Sequence, residues 1–326
     1  MLVPWRQAAQ DALYGPSGFY LSTRPAFHFR TSVHAAADLF ADAIGALLDR
    51  VDTALGHPDP IDLVDVGAGG GELLSSLSVP ATLARRLRLT AVERGPRPSG
   101  LVPDVAWVDE FPPVTGLLVA NEWLDNVPLD VACRDADGVD RLVLVDPTSG
   151  AETLGPPLSG DDAAWVARWW PLTSPGDRAE IGAPRDAAWA SAVGRVRRGL
   201  AVAVDYGHDA ASRPTGGSLT GYRDGRQVPP VPDGSCDLTA HVAVDAVAAA
   251  VPASGAVVRR QREVLRELGV SGRLPPRKLA STDPAGYLRA LSTATRAAEI
   301  TSPTGLGSFY WLFQPVQLKN VKDVLP

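Results

Sequence analysis

Short apolar runs separated by longer amphipathic segments are the main pattern along this chain. Such runs are typical of buried strands, and the amphipathic segments between them are typical of helices. The clearest runs, which we predict to be strands, are residues 62–66, 88–93, 105–108, 116–120 and 199–204. Strands that alternate with helices predict an α/β fold with a doubly wound, mostly parallel sheet of Rossmann-like type.

A helical region is predicted ahead of the first of these strands. In residues 35–55 the apolar positions recur at intervals of three and four, as on a helix with one buried face. Thr31 or Ser32 is the predicted N-cap of this helix. We therefore predict an N-terminal helical segment at residues 1–57, which helps to complete a ligand pocket, and a Rossmann-like domain at residues 58–326.

Two stretches are predicted to be insertions in that domain. Residues 146–198 contain Pro- and Gly-rich connections around two predicted helices, and residues 209–236 are polar and predicted to be a loop. Asp237 is the predicted N-cap of a helix that runs to about residue 250. The late apolar runs at 256–260 and 308–314 are predicted to pair antiparallel at one edge of the sheet.

Composition limits the classes of function. The 326 residues are 45% hydrophobic and 21% charged, as in a globular protein. The formal net charge of -6 argues against nonspecific nucleic-acid binding. Cys133 and Cys236 are not in metal-ligand spacing, so neither a metal site nor a disulfide is expected. The first residues do not resemble a secretory signal, and no apolar run is long enough for a membrane span. We expect a cytoplasmic protein without membrane contact.

The strongest candidate for a ligand-binding loop follows the strand at 62–66. Gly67, Gly69 and Gly71 allow a tight turn and a close approach of the backbone to a ligand. A dinucleotide fingerprint would need a glycine at position 72, where this chain has Glu72, whose charge opposes a pyrophosphate. The loop therefore suits S-adenosyl-L-methionine (SAM), which has no phosphate, better than NAD. A dinucleotide and a purely structural turn remain alternatives.

Acids follow the next two predicted strands. Glu93 lies about twenty residues beyond the glycines, where a Rossmann-type fold hydrogen-bonds ribose hydroxyls. Asp109 follows the strand at 105–108 and is a candidate acceptor for an adenine amino group. For Glu93, the alternative is a solvated acid at a strand end.

A polar cluster, Asn121, Glu122 and Asp125, follows the strand at 116–120. Carboxylates can hold a planar guanidinium, orient one of its nitrogens and stabilise its charge during methyl transfer. These residues are therefore candidates for the methyl-acceptor side. The alternative is that Asn121 and Asp125 only cap the next element. No paired His or Cys spacing indicates a metal.

Together these stretches resemble the MidA-type SAM-dependent methyltransferases, relatives of the mitochondrial arginine methyltransferase needed for complex I assembly. The matching stretches follow the order of that family and span most of residues 10–270. They are residues 12–20, 29–32, 65–74, 91–94, 120–128, 205–207 and 237–242. Ala-Asn-Glu-x-x-Asp-x-x-Pro at 120–128 is the most specific of them.

The resemblance implies a class I SAM-dependent methyltransferase fold, SAM as methyl donor and a protein arginine as acceptor. It implies cofactor roles for Gly67, Gly69, Gly71 and Glu93, and acceptor-side roles for Asn121, Glu122 and Asp125. We also expect a substrate pocket formed by residues of the matching stretches and their neighbours: Thr31, Ser32, His34, Tyr206 and His241.

The chain departs from the family pattern at several positions, two of which directly follow Thr31 and Ser32 of the expected pocket. The family has Thr-Ser-Pro-Glu where this chain has Thr31-Ser32-Val33-His34, so a carboxylate is replaced by histidine. Two alternatives to protein arginine methylation therefore stay open. One is a non-catalytic assembly protein that keeps the fold, and the other is a SAM-dependent methyltransferase that acts on a small molecule.

Overall fold

The computed structural model describes residues 1–22, 31–252 and 255–326. The histidine at position 28, and Phe29 and Arg30 of the matching stretch at 29–32, lie outside the described residues. The helices are α1 Trp5–Tyr14, α2 Phe19–Ser22, α3 Ser32–Leu55, α4 Glu72–Ser75, α5 Ala81–Ala84, α6 Gly160–Trp169, α7 Ala183–Val193, α8 Val244–Ala249, α9 Gln261–Glu267, α10 Arg277–Thr282, α11 Pro284–Ile300 and α12 Val321–Val324. Short 3-10 turns occur at Leu124–Asn126 and Leu306–Ser308.

The strands are β1 Val3–Pro4, β2 Ile61–Val66, β3 Leu87–Val92, β4 Val105–Val108, β5 Val114–Asn121, β6 Asp130–Arg134, β7 Asp140–Val145, β8 Glu152–Pro157, β9 Arg178–Ile181, β10 Val196–Asp205, β11 Gly207–His208, β12 Thr220–Arg223, β13 Arg226–Val228, β14 Asp237–Thr239, β15 Val242–Ala243, β16 Val257–Arg260 and β17 Tyr310–Val316.

These elements form two compact units, each of which brings together separate stretches of the chain. The first unit comprises the described residues within Met1–Phe29, Glu122–Gly194 and Asp205–Ala256. The second comprises those within Arg30–Asn121, Arg195–Val204 and Val257–Pro326. This division differs from the boundary predicted between residues 57 and 58, because α3 belongs to the unit that contains the large sheet.

The second unit is built on a seven-stranded sheet in the order β16-β17-β10-β5-β2-β3-β4. β10, β5, β2, β3 and β4 pair in parallel, whereas β16 pairs with β17 antiparallel. All six residues of β2 are buried, as expected for a central strand covered on both faces. The apolar face of α3, including Phe40, Ile44 and Leu47, joins the same core as Leu63 of β2.

The first unit contains three smaller sheets. One joins β1, β7, β6 and β9 in that order, with β8 paired to β7. A second joins β13, β12 and β14, and a third pairs β11 with β15 in parallel. The α1 helix packs here through Trp5 and Leu13, in a core that also contains Leu238 of β14.

Most of the large-sheet predictions are confirmed. The five predicted parallel strands are present with ends shifted by a few residues, and the two late strands pair antiparallel at the sheet edge. Thr31 is the N-cap of α3, and its side chain accepts a hydrogen bond from the backbone N–H of His34. These elements depend on local propensity and periodicity, so they can be predicted well from the sequence.

Predictions for the first unit were less successful. The predicted helix from Asp237 is wrong, because Asp237–Thr239 is a strand paired with β12 and the helix begins only at Val244. Strands β12 and β13 occupy part of the predicted loop at 209–236. The insertion predicted at 146–198 also contains β8 and β9, which the sequence did not reveal, and β10 begins before its end.

The helix after the glycines, α4, is short and ends at Ser75.

Two features are absent from the described part of the chain: a helix able to cross a bilayer and a cluster of metal-ligating side chains. None of its helices combines the length and apolar composition that crossing a bilayer requires. In the same residues, no group of three or more His, Cys, Asp or Glu side chains is arranged to hold a metal ion.

Candidate cofactor and acceptor residues

The glycine loop between β2 and α4 has the backbone that its sequence predicts. Gly67, Gly69 and Gly71 have φ angles of 68°, 57° and 76°, a region that favours glycine. A Cβ on Gly71 would lie 2.5 Å from the Leu101 side chain, so this glycine is needed for packing as well. A Cβ on Gly69 would meet no atom closer than 3.8 Å. The space beside Gly69 is therefore open to a ligand.

Glu93 follows β3 and is fixed against this loop. Its Oε2 accepts a hydrogen bond from the Gly69 N–H at 3.0 Å, and its Oε1 accepts from the N–H groups of Arg94 and Gly95 at 2.7 and 3.0 Å. The half-buried carboxylate keeps lone pairs for further donors, such as ribose hydroxyls. Asp109 is exposed at the end of the neighbouring β4, whose Val108 accepts a hydrogen bond from Glu93 N–H at 2.8 Å.

The loop carries an excess of acids. Burial, assisted by the charges of Glu72 and Glu93, raises the pKa of Asp65 to about 8. Burial also acts to raise the pKa of Glu72, but hydrogen bonds from His34 and from backbone N–H groups outweigh it, and the net pKa is lowered. Such a site fits SAM, whose sulfonium and ammonium groups are cationic, and opposes a pyrophosphate.

His34 lies beside this acidic loop. Its Nε2 is 3.6 Å from Glu72 Oε1, and its Nδ1 is 2.8 Å from Thr31 Oγ1 in the capping box of α3. Ser32 is fully buried and accepts a hydrogen bond from Gln261 Nε2 at 3.0 Å. Of the three pocket residues predicted here, Thr31 and His34 therefore lie next to the predicted cofactor loop, and Ser32 is held in the core.

Asn121 and Glu122 mark the end of β5. Asn121 is half-buried and pairs with Val204 in the parallel ladder. Glu122 has a φ of 51°, which is uncommon for a residue other than glycine. Such backbone strain is concentrated at functional sites.

Asp125 lies in the 3-10 turn Leu124–Asn126 of the first unit and is 4% exposed. Its Oδ2 accepts hydrogen bonds from the Tyr206 hydroxyl and, at 2.7 Å, from Thr239 Oγ1. Its Oδ1 is buried and has no hydrogen-bond partner among the residues that the structure describes. Burial raises the pKa of Asp125, although these hydrogen bonds and the charge of Arg185 act in the opposite direction.

Asp205 supports this turn from the end of β10. It accepts hydrogen bonds from the backbone N–H groups of Leu124 and Asp125 at 3.0 and 3.2 Å. Burial raises its pKa well above the ordinary value, and the charges of Asp125 and Glu122 raise it further. We call Glu122, Asp125, Asp205, Tyr206 and Thr239 the acidic cluster.

Asp237 adds a further buried acid next to the acidic cluster. It accepts hydrogen bonds from the Tyr20 hydroxyl at 2.7 Å and from Asn126 Nδ2 at 3.1 Å. Burial, with a further contribution from the Asp125 charge, raises its pKa to about 7. These contacts explain why Asp237 is no helix cap: its carboxylate is engaged with α2 and with the 3-10 turn.

The predicted pocket residues Tyr206 and His241 meet in this unit. Their rings pack edge to face with centroids 5.3 Å apart. Burial lowers the pKa of His241, so its imidazole is neutral at pH 7. The first unit thus brings Glu122, Asp125, Tyr206 and His241 together, and the second groups the glycines with Glu93, Asp109, Thr31 and His34.

Sequence reasoning missed three important residues of the first unit: Arg185, Asp237 as a site neighbour, and Thr239. Arg185 and Thr239 contact Asp125 from 60 and 114 positions away in sequence. Their stretches carry no glycine or strand-end signal, although the resemblance covered residues 237–242.

Comparison with solved structures identifies the fold. A protein from Burkholderia thailandensis bound to S-adenosylhomocysteine aligns with a TM-score of 0.80 at 23% identity, covering 99% of this chain and 90% of that one. The native structure of an uncharacterized protein from Burkholderia thailandensis aligns with a TM-score of 0.76 at 22% identity, with the same coverage. This chain therefore has the fold of these proteins. No curated protein matches the chain.

Comparison with protein families identifies the cofactor. The model of a family described as "Putative S-adenosyl-L-methionine-dependent methyltransferase" matches residues 43–261, more than half of the chain. The matched region includes the glycine loop, Glu93 and the acidic cluster. SAM, which suits the acidic loop, is accordingly the cofactor. The chain belongs to this family of S-adenosyl-L-methionine-dependent methyltransferases.

Proposed function

We propose that this protein transfers the methyl group of SAM to a nitrogen of a protein arginine side chain. The observation that carries the proposal is Asp125 Oδ1, an acceptor atom that is buried and has no partner among the described residues. A buried acceptor without a partner is costly, and a donor from a ligand would remove that cost. A guanidinium offers donors together with the positive charge that a buried carboxylate requires.

Charge balance in the first unit supports a cationic acceptor. The charges of Glu122 and Asp125 raise the pKa of Asp205, and the charge of Asp125 also raises the pKa of Asp237. Arg185 is the cation whose charge acts on both Asp125 and Asp205. A buried group of acids with one nearby cation either holds protons or attracts a further cation.

The chemistry of the proposed reaction follows from these groups. When bound, SAM supplies an electrophilic methyl group and leaves as S-adenosylhomocysteine. Asp125 Oδ1 would accept a hydrogen bond from the guanidinium and so fix the orientation of one of its nitrogens. The nitrogen that receives the methyl group must lose a proton, which Glu122 or Asp125 would accept and pass to solvent. The carboxylates thus orient the nucleophile and stabilise charge as it shifts.

The sheet supports a finer assignment to the class I, doubly wound type. Its strand order reverses next to β2, since β3 and β4 lie on one side and β5 and β10 on the other. In such sheets the ligand binds at the carboxyl ends of the strands, beside this reversal. The glycine loop after β2 lies at that position.

Labelling of a lysate of the source organism with tritiated SAM tests the proposal. We expect label in a protein that yields methylarginine on hydrolysis, and no labelling with D125N. D104N, which removes an exposed acid, serves as a matched control and should label normally. Label confined to small molecules would refute the arginine acceptor. SAM binding without any labelling would instead favour the non-catalytic assembly protein.

A further inference from the structure

Arg185 in α7 is a buried arginine of the first unit that the proposed reaction does not yet use. Only 2% of its surface is exposed. Its Nη1 donates to the carbonyl oxygens of Ala240 and His241 at 2.8 and 3.0 Å, and its Nε donates to that of Val127 at 3.3 Å. Its Nη2 donates to the carbonyl oxygen of Asp125. One guanidinium therefore joins the 3-10 turn to the segment after β14.

The acceptors of the four Arg185 hydrogen bonds are unusual for an arginine near carboxylates. Each of them ends on a backbone carbonyl, although the carboxylates of Asp125 and Asp205 are near enough to affect the pKa of Arg185. Arginine commonly forms a bidentate pair with a carboxylate when one is in reach. Here the charge of Arg185 acts on Asp125 while the Oδ1 atom of Asp125 stays without a partner in the described residues.

Other charged and titratable groups also face Asp125, and their balance decides what Arg185 contributes. The groups that interact electrostatically with Asp125, or with Asp205 and Arg185 beside it, come from α2, the end of β5, β9, the end of β10 and β14 with the residues after it: Tyr20, Glu122, Glu180, Asp205, Tyr206, Asp237 and His241. None of these side chains is a permanent cation. Arg185 is positively charged at every pH at which a protein works.

We propose that Arg185 is a positioning residue of the acidic cluster: it fixes the turn that carries Asp125 and favours the ionised form of that carboxyl group without occupying its Oδ1 atom. The proposal rests on the proposed function and deepens it. A site that must bind a cationic substrate needs an ionised acid with a free oxygen. A direct ion pair with Arg185 would consume that oxygen, whereas a neutral residue at position 185 would remove a charge that favours the ionised acid.

Two substitutions separate the effect of the Arg185 charge from the effect of its hydrogen bonds. R185M removes both the charge and the hydrogen bonds. R185K keeps the charge but replaces the planar fork by a single ammonium, so it cannot reproduce the four contacts. R178M is the matched control, because it removes a cation of the same unit that pairs with Glu152 instead of the acidic cluster. R178M should behave as wild type in both measurements below.

The first measurement needs no methyl transfer. Carboxyl carbons of labelled Asp are followed by NMR against pH, and the Asp125 resonance is assigned by its absence in D125N. We expect its titration midpoint to move upward by about one pH unit or more in R185M and to stay near the wild-type value in R185K. An unchanged midpoint in R185M would overturn the proposal, and so would equal displacements of the midpoint in both variants.

The second measurement is the pH profile of methyl transfer to the acceptor identified by labelling. In R185M the acidic limb of kcat/KM should move to higher pH, and at any pH below its midpoint the activity should fall about tenfold for each pH unit that the limb moves. R185K should keep the limb in place and lower kcat. If R185M fails to fold, R185K still tests the proposal. A displaced acidic limb of kcat/KM in R185K, or an unchanged kcat, would contradict it. Wild type without activity would refute the proposed function, while the NMR result would still test Arg185.

Discussion

Replacing Asp65 by Asn should make the ligand-free protein more stable at neutral and alkaline pH. Asp65 lies in the central strand β2 with 4% of its surface exposed, and its pKa is raised to about 8. The folded protein therefore holds a proton on this carboxyl at pH 7, whereas the unfolded chain, with an ordinary pKa of about 3.9, has released it. Asn keeps the shape of the side chain but has no proton to lose.

The size of the effect follows from the difference between the pKa values of Asp65 in the folded and unfolded states. The contribution of this protonated acid to stability is complete below about pH 4 and is lost as the pH rises toward about 8, because the unfolded state binds fewer protons than the folded state. Each pH unit in that interval costs about 1.4 kcal/mol. Between about pH 5 and pH 8 the free energy of unfolding of the wild type should therefore fall by about 4 kcal/mol through Asp65, a loss that D65N does not suffer.

Denaturant unfolding of both proteins at these two pH values measures the difference. Acids that do not interact with Asp65 contribute equally to both, so the change in wild type minus the change in D65N reports on Asp65 together with its coupling to Glu72 and Glu93. D104N, an exposed site, should follow the wild type. A saturating concentration of SAM should reduce the loss in wild type, since a cationic ligand favours the ionised carboxylate. Parallel pH dependences for wild type and D65N would refute the assigned protonation state.

Three further substitutions test the assignment of roles. G69V should abolish SAM binding in isothermal titration, because its side chain enters the open space beside the loop. G225V imposes a similar positive-φ strain elsewhere (φ 73°) and should still bind SAM. E122A should bind SAM nearly as wild type and turn over more slowly; simultaneous loss of both would contradict its acceptor-side role. Y206F removes one hydrogen bond to Asp125 and should lower kcat by about tenfold, equivalent to the roughly 1.4 kcal/mol of one hydrogen bond to a charged group, with an unchanged Kd for SAM. A weakened Kd would place Tyr206 at the cofactor instead.

The geometry of the glycine loop could be predicted because its signals are local in sequence. A buried strand, three glycines at alternate positions and an acid at the end of the next strand occur within about thirty residues. Each element needs only its own neighbours to form. The backbone angles of Gly67, Gly69 and Gly71 and the hydrogen bond from Gly69 to Glu93 therefore agree with the expectation.

The acidic cluster could be predicted only in part because its partners are distant in sequence. Glu122 and Asp125 stand in a specific motif at a strand end, but the residues that hold Asp125 do not. Thr239 lies in a strand whose pairing with β12 decides its position, and a lone Thr carries no spacing signal. The prediction for Asp237 was wrong for the same reason, since an acid before an Ala- and Val-rich segment also fits a helix cap.

His34 changes the meaning of the departure from the family pattern. A carboxylate at position 34 would add a fourth acid to a loop that already carries Asp65, Glu72 and Glu93. Histidine instead closes the capping box of α3 with Thr31 and contributes to lowering the pKa of Glu72. The histidine thus changes the charge beside the glycine loop. The acidic cluster keeps its own hydrogen bonds within the first unit. His34 alone is consequently a weak argument for a non-catalytic protein.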